Sequence, residues 1–191
     1  MLTRIAMLLS LLFAAPAFAQ APAPNADLVP VAIETSLGRI VVALDRGRAP
    51  LTTANFLSYV DSGKLDGESF YRAMPYGAGG LIQGGIGSDA RKLGPPVAHE
   101  PVSQTGIKHV AGTISMANAG PGTARSDFFI LTTDVPFFDA SFAAFGQVVE
   151  GMDVVKAILA APVSPTKGEG PMKGQMLEPA VKIVKVERVG D

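Results

Sequence analysis

The stretch GTISMANAGPGTARSDFFI, running from Gly112 to Ile130, holds two short apolar runs separated by small residues and a turn. Thr113, Ile114 and Met116 read as one strand, and Asp127 to Leu131 reads as another. Gly120, Pro121 and Gly122 supply the turn between them. Adjacent side chains of a strand point to opposite faces, so Phe128 and Phe129 cannot share one environment. Phe129 is the candidate for the face away from the core. Ala117, Asn118 and Ala119 put small side chains where the floor of a trough would leave backbone groups reachable. This residue mix suits a surface that grips peptide better than it suits a nucleophile or a phosphate cradle.

Outward from that segment the chain alternates strands and turns. Val29 to Thr35 and Arg39 to Leu44, joined by Ser36-Leu37-Gly38, read as a hairpin. Pro50 opens a helix over Leu51 to Val60, with Gly63 just past its end. Ser69 to Met74, Leu81 to Gln83 and Ala143 to Val149 read as strands. A second, shorter helix spans Gly151 to Leu159, with Met152, Val155, Ile158 and Leu159 on one stripe. Arg91 to Lys108 and Pro162 to Gly174 carry too many prolines and polar residues for regular structure and read as loops. Ala180 to Val189 alternates valine and isoleucine with charged residues, as a half-exposed strand does. A sheet of this size must close or cover its edges, and a barrel with a helix at each end satisfies that need.

Composition narrows the function. The 191 residues suffice for one domain with its own core. Cysteine is absent, which excludes disulfides, thiol catalysis and cysteine-ligated zinc. Only His99 and His109 are present, ten residues apart, so neither a metal site nor a cofactor is expected. Gly79-Gly80 and Gly84-Gly85 do not form a dinucleotide fingerprint. The net charge of -1, with mixed signs, offers no basic footprint for nucleic acid.

The N-terminus reads as an export signal. Arg4 supplies the positive region, Ile5 to Ala15 the apolar region and Ala17-Phe18-Ala19 the cleavage site. Residues 1–19 are thus expected to be removed, and 20–27, QAPAPNAD, to form a flexible leader to a domain over 28–191. The apolar run is too short to span a bilayer comfortably, which takes about 20 residues, so no stable membrane insertion is expected after cleavage. A periplasmic location and a monomer are the expected state.

Upstream of the opening segment, SFYRAMPYGAGGLIQGG (Ser69 to Gly85) places Arg72 inside an apolar run. Taken in order and spacing, SFYR, LIQGG, SMANAGPGT, SDFFI and FGQVVEGMDVV resemble the cyclophilin family of peptidyl-prolyl cis-trans isomerases over almost all of the chain after residue 28. The resemblance implies a mainly β fold, a closed eight-stranded antiparallel barrel capped by two α-helices. It also implies that proline-containing polypeptides are the substrates. Arg72 matches the catalytic arginine and Gln83 a glutamine that orients it. Leu81 and Phe129 match the proline pocket, which Met74 and Phe142 help to wall. Ala117, Asn118 and Ala119 match the segment whose backbone pairs with bound peptide, and Asp127, Phe137 and Phe138 complete the substrate-binding set.

The chain departs from the common family pattern at several points. Tyr71 stands where histidine is usual, and Tyr76-Gly77-Ala78-Gly79-Gly80 is inserted in one pocket wall. Asp127 replaces a glutamine, and could either pair with Arg72 or compete with substrate for its donors. Phe137 replaces the tryptophan that contacts cyclosporin, and Phe142 a common histidine. These changes leave two readings: an isomerase for exported proteins, or a peptide-binding chaperone or assembly module with little catalysis. Retention of Arg72 favours the first.

Overall fold

A computed structural model describes residues 27–190. The expected signal peptide and nearly all of the expected leader lie outside the described residues. The chain opens with β1 (Leu28–Thr35) and β2 (Gly38–Asp45), then α1 (Pro50–Asp61), β3 (Ser69–Tyr76) and β4 (Gly79–Gly85). A short α2 (Val102–Thr105) precedes β5 (Thr113–Met116), β6 (Phe128–Leu131) and β7 (Ala143–Glu150). Finally come α3 (Met152–Leu159), β8 (Val163–Ser164) and β9 (Met176–Arg188).

Eight strands form an antiparallel ring in the order β1-β2-β7-β5-β6-β4-β3-β9, closed by pairing of β9 with β1. The barrel is therefore closed as expected, and its closure removes the free edges that an open sheet would expose. The two-residue β8 is appended to β9. Alternation fills the interior with Ile33, Ile40, Ile82, Ile114, Phe128 and Phe145, all fully buried. Phe56 of α1 meets the Phe128 ring edge-on at 5.2 Å, and Phe70 meets it edge-on at 5.6 Å. Val155 and Ile158 bring α3 into the same core.

Two segments read as loops contain short regular structure. α2 lies within Arg91 to Lys108, and β8 with a 3-10 turn at Gly170–Met172 lies within Pro162 to Gly174. Among the described residues the α-helix count thus rises from the expected two to three. One turn of helix has no periodicity to read, and α2 ends where Gly106, at φ +69°, donates to the carbonyl of Val102. The same loop does work for α1. Ala49 cannot cap that helix with its side chain, and the buried Glu100 carboxylate accepts from the N–H groups of Leu51 and Thr52 instead, at 3.1 and 2.7 Å. An acceptor with negative charge there complements the helix dipole as well.

Candidate functional site

The outer face of β3, β4, β6 and β5 carries the site. Outward side chains along these strands are Leu81 and Gln83 on β4 and Phe129 and Leu131 on β6, while Ile82, Phe128 and Ile130 face the core. Register aligns Arg72 with Gln83, and Gln83 with Phe129, across three neighbouring strands.

Strict alternation would not put Arg72 there. Phe70 and Ala73 are both buried in the core, three positions apart, although an unbroken strand would send them to opposite faces. The register slips between Phe70 and Arg72 against both β4 and β9. Tyr71 is the extra residue of this bulge, so Tyr71 and Arg72 are both freed from the core-facing row. The inserted residues also have a defined role. Tyr76 pairs with Gly79 across the two-residue turn Gly77-Ala78, with Gly77 at φ +58° in the first central position. The insertion extends the hairpin and sets Tyr76 edge-on to Phe137 at 5.6 Å.

A groove of about 700 Å³ runs over this face. Every residue assigned to the site from sequence lines it: Arg72, Met74, Leu81, Gln83, Ala117, Asn118, Ala119, Asp127, Phe129, Phe137, Phe138 and Phe142. Phe129 is only 2% exposed, yet it belongs to a cluster separate from the barrel core, with Leu81, Leu131 and Val135. Phe142 and Phe138 meet its ring edge-on at 5.3 and 5.6 Å, forming an apolar cup. The Phe129 ring thus closes the base of the groove from outside the barrel.

His109 supports the cup from behind. Its ring stacks on Phe129 at 6.1 Å, with Nδ1 2.8 Å from Asp139 Oδ1 and Nε2 2.9 Å from Ser115 Oγ. Burial lowers the His109 pKa and outweighs the attraction of Asp139. Among the described residues, no group of histidine, cysteine and carboxylate side chains could hold a metal ion.

Arg72 is held on several sides. Its Nε donates to Gln175 Oε1 at 2.9 Å, Nη1 to Gln83 Oε1 at 2.8 Å and Nη2 to Met74 Sδ at 3.3 Å. One proton on each terminal nitrogen is left without a partner among the described residues. Burial lowers the Arg72 pKa, but a guanidinium remains charged throughout the ordinary pH range. Gln175 escaped sequence reading, since it lies just before β9, more than a hundred positions from Arg72, with no local pattern to mark it. Leu93, Arg125 and Met172 line the groove from loops and escaped it for the same reason.

Of the two fates foreseen for Asp127, the pairing with Arg72 is not found. Among the described residues it forms no ion pair with Arg72, and its electrostatic neighbours are the Tyr71 hydroxyl and Ser126, both of which favour the charged form. Burial raises its pKa. Asn118 uses its side chain locally, with Oδ1 accepting from Gly120 N–H and Nδ2 donating to Ser141 O, both at 3.0 Å. Its backbone N–H and C=O have no partner among the described residues, which leaves them available to an extended peptide.

The sequence that builds this barrel and groove matches, over residues 30–188, the family described as cyclophilin type peptidyl-prolyl cis-trans isomerase/CLD. The chain belongs to this family of isomerases. It is 36% identical over 197 residues to peptidyl-prolyl cis-trans isomerase A of Dickeya dadantii, covering 96% of this chain and 97% of that relative. A peptidyl-prolyl cis-trans isomerase of Acinetobacter baylyi is 34% identical over 166 residues, covering 82% and 84%. In three dimensions the chain resembles a Cryptosporidium parvum cyclophilin-type isomerase with a TM-score of 0.72 at 22% identity, over 86% of this chain and 99% of that one. A second crystal structure of that isomerase, in the presence of the dipeptide Ala-Pro, gives 0.71 at 23% identity.

Proposed function

We propose that the groove accelerates rotation about Xaa-Pro bonds in exported polypeptides, with Arg72 stabilising the twisted amide. The barrier, of roughly 20 kcal/mol, comes from amide resonance. Twisting breaks that conjugation and returns a lone pair to the prolyl nitrogen. A donor aimed at the nitrogen therefore binds the twisted state better than either planar isomer, which is the differential binding that catalysis requires. No bond breaks, so neither a nucleophile nor a cofactor is needed.

The observation that carries this reading is a guanidinium with unspent protons, fixed by Gln83 and Gln175 beside an apolar cup based on Phe129. The cup suits a proline ring, and the free backbone groups of Asn118 suit the chain on either side of it. A relative in fold crystallised with Ala-Pro supports proline-containing peptides as substrates. Among the described residues Asp127 forms no ion pair with the guanidinium, which leaves it to the substrate and favours catalysis over simple peptide holding. Export rests on Arg4, the apolar run and Ala17-Phe18-Ala19, and would place the activity in the periplasm.

A protease-coupled assay on a proline-containing tetrapeptide tests the proposal. The purified domain is expected to speed the cis-to-trans step well above the spontaneous rate. Saturable peptide binding without acceleration would establish the holding module instead.

A further inference from the structure

The apolar cup does not stop at Phe138. Phe137 meets Phe138 edge-on at 4.9 Å, and Tyr76 meets Phe137 edge-on at 5.6 Å, so a row of rings runs from Phe129 to the rim of the groove. Tyr76 and Phe137 both line the groove, yet they are 42% and 57% exposed. Aromatic surface left in water is stabilised when an apolar group covers it. The hairpin tip that carries Tyr76 is tied to the strand beside it. Thr132 N–H donates to Gly80 O at 2.9 Å, and a β-carbon at Gly79 would come within 2.9 Å of Thr133 Cβ. Tyr76 belongs to the insertion by which this chain departs from the family pattern.

Strand register fixes which part of a substrate reaches this rim. β5 and β6 are antiparallel, with Ile114 opposite Ile130 and Met116 opposite Phe128, and Ala117 N–H donates to Asp127 O at 2.8 Å. Asn118 therefore lies beyond the Asp127 end of β6. Leu81 pairs with Leu131, and Thr132 holds Gly80, so Tyr76 lies beyond the opposite end with Phe129 between. From Asp127 to Thr132 a strand spans about 17 Å, the length of a short extended peptide. A residue that exchanges both backbone bonds with Asn118 needs an N–H, which proline lacks, so a neighbour of the proline pairs there. Antiparallel pairing runs the peptide against the direction of Asn118, from the Asp127 end toward Tyr76. Residues before the proline then pair with Asn118, the ring enters the cup over Phe129, and the residue after it passes Phe137 and Tyr76. The two ends also differ in charge. Arg125 and Asp127 line the Asn118 end, whereas Met74, Tyr76, Phe137 and Phe138 line the other.

We propose that Tyr76 and Phe137 form a subsite for a large apolar or aromatic side chain on the residue that follows the proline. This rests on the peptide-binding role proposed for the groove, and it makes the enzyme selective on one side of the Xaa-Pro bond. The rings offer edges and faces to such a side chain, while a charged one would lose water there without gaining a partner.

The test is kcat/KM by exchange NMR, and Kd by titration, for peptides Ala-Ala-Pro-Xaa-Ala with phenylalanine, leucine, alanine or aspartate after the proline, and for Ala-Phe-Pro-Ala-Ala. Wild type, Tyr76→Ser, Phe137→Ser and Tyr76→Phe are compared, with thermal melts of each. The wild type is expected to prefer phenylalanine to alanine after the proline by about fivefold, mostly through KM, with aspartate poorest. Tyr76→Ser and Phe137→Ser are expected to bring that ratio close to one, and Tyr76→Phe to keep it. Partial unfolding of a variant lowers the rate on both peptides alike and leaves their ratio unmoved. If the wild type turns the peptides over equally well, if the preference survives both serine variants, or if it follows the residue before the proline instead, the subsite is wrong and the isomerase reading stands. If the peptides bind with the expected preference but are not isomerised, the subsite stands and the isomerase reading gives way to peptide holding. If none of them binds or is turned over, both fall.

Discussion

Replacing Phe129 with alanine separates the two faces of β6 by experiment. Phe128 and Phe129 are equally hidden from solvent, at 0% and 2% exposure, but they sit in different clusters. Phe→Ala in a closed core costs about 3–5 kcal/mol, part of it for the cavity left behind. The space vacated by Phe128 would be sealed among Phe56, Phe70 and the barrel wall, so the upper end applies. The space vacated by Phe129 would open into the groove and fill with water, so about 3 kcal/mol or less is expected. For a domain of this size that is a fall in Tm of roughly 6–12 °C. Activity should move in the opposite sense. Losing the apolar base of the cup removes about 2 kcal/mol of contact with the proline ring, or roughly thirtyfold in kcat/KM. Thermal melts and tetrapeptide kinetics on Phe128→Ala and Phe129→Ala give both numbers. A Phe129→Ala enzyme that melts as low as Phe128→Ala while its folded fraction turns over normally would return Phe129 to the core and refute the assignment.

Other expectations follow from the same geometry. Chelation should leave the activity intact, because twisting an amide needs only donors and exclusion of water; a loss in EDTA that a divalent ion restores would contradict the mechanism. His109 has a pKa lowered from 6.5 by burial, so the stability it contributes is present above that value and declines as the pH falls through it toward the folded-state pKa. The Tm of the wild type should therefore drop more steeply than that of His109→Gln as the pH is lowered below 6.5, and parallel curves would show that His109 is not held neutral. If the chain is exported as proposed, N-terminal sequencing of the mature protein should begin at Gln20, whereas an intact Met1 on membrane-bound material would mean that the apolar run is kept as an anchor.

Much of this was legible because the strands obey simple alternation. The opposite facings of Phe128 and Phe129, the β1–β2 hairpin and the proline-led α1 all follow from local pattern, and the structure reproduces them. The candidate site was legible for a different reason: its parts lie in two compact segments, Ser69 to Gly85 and Gly112 to Phe142, which neighbouring strands bring together. What could not be read was whatever depends on register or on distant loops. The bulge at Tyr71 breaks alternation without any glycine to announce it. Gln175 reaches Arg72, and Glu100 reaches the start of α1, from segments whose sequence has no regular period.

The most direct test of the account is the ratio of kcat/KM between the wild type and Arg72→Lys on one proline tetrapeptide, with folding verified by melting. Lysine keeps the charge but loses the planar fork that Gln83 and Gln175 hold in place. A transition-state hydrogen bond of about 3 kcal/mol corresponds to roughly a hundredfold loss, and that is the ratio predicted. A folded Arg72→Lys enzyme that isomerises the peptide as fast as the wild type would show that the guanidinium does not act on the prolyl nitrogen.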